Sequence, residues 1–233
     1  FLPDVSIPFG GIWQSARLIA VDGPCLSDIS LLSDVNSSSV QLKVEVHRAA
    51  GLTAVIRLLT PDGQEIQTSQ SAVEADSLEF NLKVADPDLW SPDHPALYAI
   101  IIELRSGEMV KALVKRRFGF RTLMHTGDRV LLNGTSVCLR GVLNWGWYPE
   151  ILCPNPDEST IRDEFRRVRD LGYNLIKLCL YVPAPRYFEM ADEEGMLLWL
   201  ELPMWLPDVT PRLRQQAPVE YRDILATVHM HTS

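Results

Sequence analysis

The sequence is poor in the features that mark several common classes of protein. It has only four cysteines, and none of them shows the C-x-x-C spacing of a zinc site. No apolar run approaches the roughly 18 residues of a membrane-spanning helix. Acidic residues outnumber basic ones by 30 to 22, which gives a net charge of -8. We therefore expect no metal or other cofactor, no disulfide scaffold, no nucleic-acid partner and no membrane partner.

The remaining composition, with 46% hydrophobic and 22% charged residues, is that of an ordinary globular protein of one or two domains. Cys138 and Cys179 lie in apolar strand candidates, where a free thiol acts as a small hydrophobe. We predict that Cys25 and Cys153 are structural as well. The chain starts at Phe1 with neither Met nor a basic-then-apolar signal pattern. We interpret this as an excised start that indicates no compartment.

The hydrophobic period of the sequence changes once, near Gly141. Before this residue, apolar and polar residues alternate, which is typical of strands with one face in water. After it, short continuous apolar runs alternate with helical patterns, which is typical of buried parallel strands between helices. The sequence therefore predicts an antiparallel β domain followed by an α/β domain.

The first part contains several short strands separated by turn signals. The clearest covers residues 40–46, where valines and a leucine alternate with polar side chains. Further strands are predicted at residues 54–59, 78–84, 97–104 and 109–118. Short strands at this spacing favour a β-sandwich of the immunoglobulin type. The proline-rich connection at residues 89–98 contains Trp90 and predicts a loop that is anchored by this aromatic side chain.

The second part opens with a hairpin. Asn133-Gly134 is a strong two-residue turn signal because both positions need a positive φ. The predicted arms are residues 129–132 and 136–140. Two buried strands are then predicted at residues 174–182 and 196–202, which are nearly continuous apolar runs.

Three helices are predicted around these strands. The first opens at Pro156 and Asp157 and buries residues 161, 165 and 168, and the second ends at Gly195. The third opens at Pro218 and has an apolar stripe at residues 221, 224, 225 and 228. No strand follows it, although a parallel unit returns to its sheet. We therefore expect an incomplete α/β domain, whose exposed strand edges give it a route to self-association.

Seven short motifs resemble glycoside hydrolase family 2, the group of β-galactosidases, β-glucuronidases and β-mannosidases. They are Gly10-Gly11-Ile12-Trp13, Leu89-Trp90-Ser91-Pro92 through Leu97-Tyr98, Phe118-Gly119-Phe120-Arg121-Thr122, Leu132-Asn133-Gly134, Leu139-Arg140-Gly141-Val142, Gly172-Tyr173-Asn174 with Lys177, and Asp192-Glu193-Glu194-Gly195. Each motif alone is weak. Their order and spacing across nearly the whole chain make the resemblance specific.

The resemblance implies a multidomain fold, β followed by α/β. Residues 1–22 would be the tail of an N-terminal jelly-roll sugar-binding domain. Residues 23–122 would form the family's immunoglobulin-like β-sandwich. Residues 123–233 would be the first three βα units of a TIM (β/α)8 barrel, cut before the fourth strand.

The family's chemistry is the hydrolysis of β-glycosidic bonds with retention. One carboxyl group protonates the leaving oxygen, and a second, about 5 Å away, forms the glycosyl-enzyme. In this family the acid/base follows the fourth barrel strand and the nucleophile lies near the seventh, so both fall after Ser233. The resemblance implies a carbohydrate substrate, no catalytic residue in this chain, and no activity of the chain alone. The alternative is a non-catalytic carbohydrate-binding or interaction protein with a degenerate glycosidase fold.

The candidate substrate-binding residues follow from the position of TIM-barrel sites at the carboxyl ends of the strands. They are Asn144, Trp145, Trp147, Lys177, Tyr181, Glu201 and Trp205. Asn and Lys side chains donate hydrogen bonds to sugar hydroxyls, and tryptophan rings pack against a pyranose. Asn144 resembles the family's asparagine at the end of the first strand. Rim packing for Trp147 and Trp205, and a structural role for Glu201, stay open as alternatives.

The sequence departs from the family pattern at several positions, and two of these departures, at Lys177 and Leu180, support the non-catalytic alternative. The family reads Arg-Gly-Val-Asn where this chain has one residue more, and Asn144-Trp145 resembles the mannosidase branch. Lys177 stands where the family carries an arginine, so the bidentate fork of the guanidinium is lost. Leu180 stands near the position of a family histidine. No Glu-x-His metal motif follows Glu201, which argues against a metal site of that type.

Overall fold

The computed structural model describes residues 11–204 and 208–233, which divide into two compact units. The sandwich unit is Ile19–Cys138 with Met230–Thr232. The parallel unit is Leu139–His229 with Ser233 and the described part of Phe1–Leu18. Within the described residues, no helix combines the length and the apolar character that a membrane crossing needs.

Seven strands build the two main sheets of the sandwich unit. They are β1 (Cys25–Asp34), β2 (Ser39–His47), β3 (Thr53–Leu59), β4 (Glu65–Ala72), β5 (Ser77–Lys83), β6 (Tyr98–Ser106) and β7 (Met109–Phe118). The sheets have the orders β1-β2-β5 and β4-β3-β6-β7, and all pairs are antiparallel. One core contains inward side chains from both sheets. The predicted antiparallel β domain is therefore confirmed as a sandwich.

Strand β2 illustrates why the sequence folds in this way. Its apolar residues Val40, Leu42, Val44 and Val46 are at most 1% exposed, while the polar residues between them are exposed or half-buried. Full burial of such a side chain stabilises the fold by about 1.5–3 kcal/mol. A slip of one residue would turn all four toward water, so the alternation also fixes the register against β1 and β5.

Trp90 anchors the connection between β5 and β6, as predicted. Its side chain is fully buried. Its backbone N–H donates to the carbonyl of Phe120 at 2.8 Å, and its carbonyl accepts a hydrogen bond from Nδ2 of Asn133 at 2.9 Å. The rings of Tyr98, Phe118 and Phe120 lie 5.3–5.8 Å apart, centroid to centroid. The connection is thus held by main-chain hydrogen bonds and by buried aromatic area together.

A small antiparallel sheet follows β7. It contains β8 (Leu123–Thr126), β9 (Arg129–Leu132) and β10 (Thr135–Val137) in the order β10-β9-β8. Asn133 and Gly134 have φ values of 52° and 77°, so the predicted two-residue hairpin turn is confirmed. Strand β10 ends at Val137, three residues before the predicted end of that arm.

The parallel unit alternates strands and helices. Its elements are β11 (Gly141–Asn144), α1 (Glu158–Asp170), β12 (Leu175–Leu178), α2 (Pro185–Glu194), β13 (Leu197–Leu200) and α3 (Pro211–Val228). The three strands pair in parallel in the order β11-β12-β13. A second apolar core lies between this sheet and the helices α1 and α2. The predicted change from antiparallel to parallel strands is therefore confirmed.

Helix α1 begins where the sequence predicts. The carboxylate of Asp157 accepts a hydrogen bond from a backbone N–H of the first turn, which satisfies a donor that has no partner within the helix. Ile161, Phe165 and Val168 are buried on one face. Gly172 follows the helix with φ of 82°, a conformation that suits glycine.

Three predicted elements of the parallel unit had wrong boundaries. Helix α3 begins at Pro211 and not at Pro218, because Thr210 caps it by accepting a hydrogen bond from the N–H of Leu213 at 3.2 Å. The predicted runs 174–182 and 196–202 form strands of only four residues each, β12 and β13. Leu180 adopts φ of 60°, which takes the chain out of the extended conformation soon after β12.

Candidate functional site

The register of the parallel sheet decides which side chains share a face. Val142, Ile176 and Leu198 are paired across β11, β12 and β13, and they pack on the core beneath the helices. Because successive residues of a strand point to opposite faces, the next row belongs to the other face. That row is Leu143, Lys177 and Trp199, and its leucine and tryptophan are 47% and 57% exposed.

Lys177 meets Glu201 at the carboxyl end of the sheet. Its Nζ lies 3.1 Å from Oε2 of Glu201, an ion-pair contact without the geometry of a hydrogen bond. The same Nζ lies 5.6 Å from the ring centroid of Trp199, within cation–π range. Both charged side chains are one-third exposed. The positive charge of the lysine is therefore shared between a carboxylate and an aromatic face.

A buried thiol completes this group. The thiol of Cys179 donates to Glu201, and together with Lys177 this lowers the pKa of the Glu201 carboxyl. Burial first, and then the hydrogen bond and charge of Glu201, raises the pKa of the Cys179 thiol to about 11. At neutral pH the pair therefore consists of an ionised carboxylate and a neutral thiol, which is not a nucleophile.

Asn144 lies at the end of β11, in the row that faces the helices. Its Oδ1 accepts a hydrogen bond from the N–H of Gly146 at 2.6 Å. Its Nδ2 donates to the hydroxyl of Tyr148 at 3.1 Å and to Oε1 of Glu164 at 2.5 Å. Both amide hydrogens are thus used inside the protein, so a ligand would meet this side chain at its acceptor, Oδ1.

Glu164 is the residue around which this group is organised. Its Oε2 accepts the hydroxyl proton of Tyr148 at 2.9 Å, and the hydroxyl of Tyr187 also faces it. Burial raises the pKa of the Glu164 carboxyl, and the hydrogen bonds from Tyr148 and Asn144 offset part of that effect. Burial also raises the pKa of Tyr148, Tyr181 and Tyr187, so all three phenols are protonated at neutral pH.

The loop between Asn144 and Tyr148 carries two candidate tryptophans. Trp145 and Trp147 are both half-buried, and Gly146 between them is buried. Gly146 has φ of 71°, and a Cβ there would lie 2.7 Å from Cβ of Pro154. The loop therefore needs glycine at its centre for two reasons.

Six of the seven candidate residues lie within the described residues and form two groups. Asn144, Trp145, Trp147 and Tyr181 lie on or next to the loop after β11, and Lys177 and Glu201 form the ion pair. Trp205, like Gly10 of the first family motif, lies outside the described residues. Among the described residues, no group of three or more His, Cys, Asp or Glu side chains could hold a metal ion.

Three functional candidates were missed from the sequence. Glu164 lies three residues after Ile161 and four before Val168, so helical spacing puts it on the buried face of α1. Tyr148 lies four residues after Asn144 and bonds to its side chain. Trp199 is two residues before Glu201, in the same row as Lys177. The spacing of Glu164 was the signal that could have identified it.

Comparisons with known proteins give one consistent result. Residues 26–121 match the family model described as glycosyl hydrolases family 2. The chain is 25% identical over 203 residues to a putative β-glucuronidase of Formosa agariphila, covering 84% of this chain and 24% of that protein. It is also 25% identical over 205 residues to a β-galactosidase of Thermoanaerobacter pseudethanolicus, covering 84% of this chain and 28% of the relative.

The fold resembles solved structures of the same kind. A crystal structure of the β-glucuronidase of Parabacteroides merdae superposes with a TM-score of 0.78 at 22% identity, covering 89% of this chain and 27% of that one. This likeness concerns the fold. The chain spans about a quarter of the length of the relatives that it matches. Both curated relatives carry names of O-glycosyl hydrolases.

Proposed function

We propose that this chain, which matches the model of glycosyl hydrolases family 2 over residues 26–121, is part of a retaining β-glycosidase and supplies one side of its sugar site. In this proposal residues 1–22 are the tail of a jelly roll, and residues 23–122 are an immunoglobulin-like sandwich. Residues 123–233 are the first three βα units of a TIM barrel. The observation that carries the proposal is the parallel sheet, whose carboxyl edge brings Asn144, Lys177 and Glu201 to one end.

The path of the chain at β13 supports the barrel. The carbonyl of Ser233 accepts a hydrogen bond from the N–H of Leu198 at 3.0 Å, and its own N–H donates to Oδ1 of Asp192 at 2.7 Å. Ser233 thus lies where a fourth strand would pair with β13. Strand β11 forms the opposite edge of this three-stranded sheet. We propose that edge as a route to self-association.

The roles of the candidate residues follow from their surroundings. Lys177 donates to sugar hydroxyls, and Glu201 accepts from them, because both heads are partly exposed beside an aromatic face. Trp145, Trp147 and Trp205 pack against pyranose rings. Oδ1 of Asn144 accepts a hydrogen bond from a sugar hydroxyl. Tyr181 supports the loop, because its ring lies directly beside Gly146.

The catalytic pair belongs outside residues 1–233 in this proposal. A retaining enzyme needs one carboxyl group that protonates the leaving oxygen and another that attacks the anomeric carbon. Glu164 is enclosed by tyrosines and an asparagine. Glu201 is ionised and held by Lys177 and Cys179, which suits neither an acid nor a free nucleophile. We therefore expect the 233-residue chain to bind carbohydrate and not to cleave it.

The test measures binding and turnover on the same protein. Saturation-transfer NMR with methyl β-D-glucuronide, β-D-galactoside and β-D-mannoside should detect a sugar in contact with the chain, and p-nitrophenyl glycosides should release no nitrophenol. Trp145→Ala should reduce the transfer. Tyr173→Ala is the matched control, since this exposed aromatic precedes β12 at the other end of the sheet. Turnover, or transfer that survives Trp145→Ala and is lost in Tyr173→Ala, would contradict the proposal.

One observation favours the second candidate, a non-catalytic carbohydrate-binding module. Lys177 replaces the family's arginine, and its charge is engaged by Glu201 and by the ring of Trp199. A lysine paired in this way is a point donor rather than a bidentate clamp. Two results would favour this module. The chain would bind sugars with a preference set by ring shape, and Lys177→Arg would leave the affinity unchanged.

A further inference from the structure

Glu164 connects the two ends of the loop that carries Trp145 and Trp147. We name the segment Asn144–Tyr148 the tryptophan loop. One carboxylate oxygen of Glu164 accepts from Asn144 at the start of the loop, and the other accepts from Tyr148 at its end. The two loop residues also bond to each other, Nδ2 of Asn144 to the hydroxyl of Tyr148 at 3.1 Å. The three side chains therefore form a closed triangle of hydrogen bonds.

The rest of the loop is fixed by packing and by main-chain bonds. The N–H of Gly146 donates to Oδ1 of Asn144 at 2.6 Å, which turns the chain tightly after β11. The carbonyl of Asn144 accepts from the N–H of Cys179 at 2.8 Å, and the carbonyl of Tyr148 accepts from that of Leu152 at 2.8 Å. These bonds fix the backbone on both sides of Trp145 and Trp147. The position and direction from which the two indoles leave the chain thus depend on how the loop ends are held.

Helix α1 is what holds the carboxylate in place. Glu164 lies between Ile161 and Phe165 along the helix, and both of those side chains are buried in the core of the parallel unit. A carboxylate on a helix that is packed on its sheet is a rigid acceptor. Such support of a binding residue by a fixed neighbour is a general requirement of sites that bind with precision.

We propose that Glu164 is a positioning residue, which sets the orientation of Trp145 and Trp147 through its bonds to both ends of the tryptophan loop. The proposal rests on the proposed function only in taking the two tryptophans as sugar contacts. The groups that face Glu164 are Asn144 from β11, Tyr148 from the loop, Tyr181 after β12 and Tyr187 from α2. None of them carries a charge at neutral pH, so the carboxylate is held by hydrogen bonds alone.

The experiment labels the whole chain with 5-fluorotryptophan and assigns the six indole signals by single Trp→Phe changes. Glu164→Gln keeps the size of the side chain but turns one acceptor into a donor, so either Tyr148 or Asn144 loses the acceptor of its proton. Tyr148→Phe removes only a hydroxyl. Each variant should shift or broaden the ¹⁹F signals of Trp145 and Trp147, while the signal of Trp90 stays in place.

The controls separate positioning from general loss of structure. Asp163→Asn changes the neighbouring carboxyl on α1, which is half-exposed and pairs with Arg166, and it should leave all six signals unchanged. In the double variant Glu164→Gln with Tyr148→Phe, the shifts should be smaller than the sum of those of the two single variants, because both break the same triangle. Additive shifts, unchanged signals of Trp145 and Trp147 in both folded variants, or a Trp90 signal that moves with them would each overturn the proposal.

The readout needs no sugar, so its failure is distinct from a failure of the proposed function. If the chain binds no β-glycoside and the ¹⁹F shifts occur as expected, the positioning role stands and the carbohydrate role falls. If the sugar binds, Glu164→Gln should weaken binding of the same methyl glycoside, and Glu164→Asp should recover part of it. Equal binding by Glu164→Gln and by the wild type would contradict positioning of a sugar contact.

Discussion

At the scale of single residues, Glu164 combines a buried carboxyl group with hydrogen bonds that keep it in place. Its pKa is raised from 4.5, the value of the unfolded chain. A raised carboxyl pKa means that the folded protein binds the proton more tightly than the unfolded one. The contribution of the group to stability is therefore greatest below pH 4.5 and falls as the pH rises through the folded pKa.

The first prediction concerns this pH dependence. Glu164→Gln removes the titration, so the free energy of unfolding of the wild type relative to this variant should decrease as the pH rises from about 4 to above the folded pKa. Urea denaturation at a series of pH values measures both proteins. Asp163→Asn, which removes the neighbouring carboxyl group of α1, is measured alongside for comparison. A difference for Glu164→Gln that is constant with pH, or that grows, would show that burial does not dominate at this carboxyl.

Gly119 gives a second prediction at this scale. Its N–H donates to Oγ1 of Thr232 at 3.0 Å, and a Cβ at Gly119 would lie 2.9 Å from two side-chain atoms of Thr232 and 3.0 Å from Cβ of Trp90. A threonine is stiff at χ1, and a Cβ moves only with its backbone. Gly119→Ala should therefore destabilise the sandwich unit by about 1–3 kcal/mol, measured by urea denaturation.

Gly141→Ala provides the matched comparison for that substitution. A Cβ at Gly141 would lie 2.8 Å from Cδ2 of Leu175, which is the far end of a flexible side chain. Neither glycine has a positive φ, so backbone strain does not distinguish them. We expect Gly141→Ala to cost clearly less than Gly119→Ala. A larger loss for Gly141→Ala would mean that the leucine cannot rotate away.

At the scale of elements, helix α3 contains a proline in its interior. Pro218 has no N–H to donate to the carbonyl of Arg214, and its ring crowds the preceding turn. An interior proline costs a helix about 3 kcal/mol relative to alanine. Pro218→Ala should therefore raise the protection of the α3 amides in hydrogen exchange. Thr210→Ala removes the cap of the same helix and should lower its stability by about 1 kcal/mol. Unchanged protection in Pro218→Ala would show that helix propensity at this residue does not limit the opening of α3.

The sequence predicted those elements that bury an alternating or a helical face. Strands β2, β5, β6 and β7 and helix α1 were found because one set of side chains in each enters a core. Strands β1 and β4 were missed. Both lie at the edges of their sheets, and β4 contains mostly polar side chains that are exposed or half-buried, so nothing in its sequence alternates clearly. The start of α3 was missed because Pro211 and Pro218 both fit the first position of a helix, and the prediction took the later one.

The sequence predicted which candidate residues meet at the carboxyl edge of the sheet but not their contacts, and their role in binding stays a prediction. Parallel strands bring their carboxyl ends to one edge, which is why Asn144, Lys177 and Glu201 could be named from the sequence. The face of the sheet on which each of these side chains lies depends on the register of the strands, which the sequence alone does not give. Asn144 therefore meets Glu164 from α1, while Lys177 meets Glu201 and the ring of Trp199. A contact between residues 20 positions apart, such as that of Asn144 with Glu164, needs the packed helix to exist.

At the scale of the whole molecule, each of the two units has its own apolar core. The sandwich core contains fully buried side chains from strands of seven to ten residues, including Ile102 on β6. The core of the parallel unit lies under strands of four residues and includes the fully buried Ile176 on β12. Units with separate cores unfold as separate cooperative transitions when few interactions couple them.

The last prediction tests this separation with one matched pair of substitutions. Ile102→Ala and Ile176→Ala each remove a fully buried isoleucine side chain beyond Cβ, which costs about 2–5 kcal/mol. If the units are thermodynamically separate, scanning calorimetry should resolve two transitions, of which each substitution lowers only one. Hydrogen exchange should assign them, since Ile102→Ala exposes the amides of β2, β3 and β6 and leaves those of β12 protected. A single transition that both substitutions lower equally would mean that the two cores unfold together.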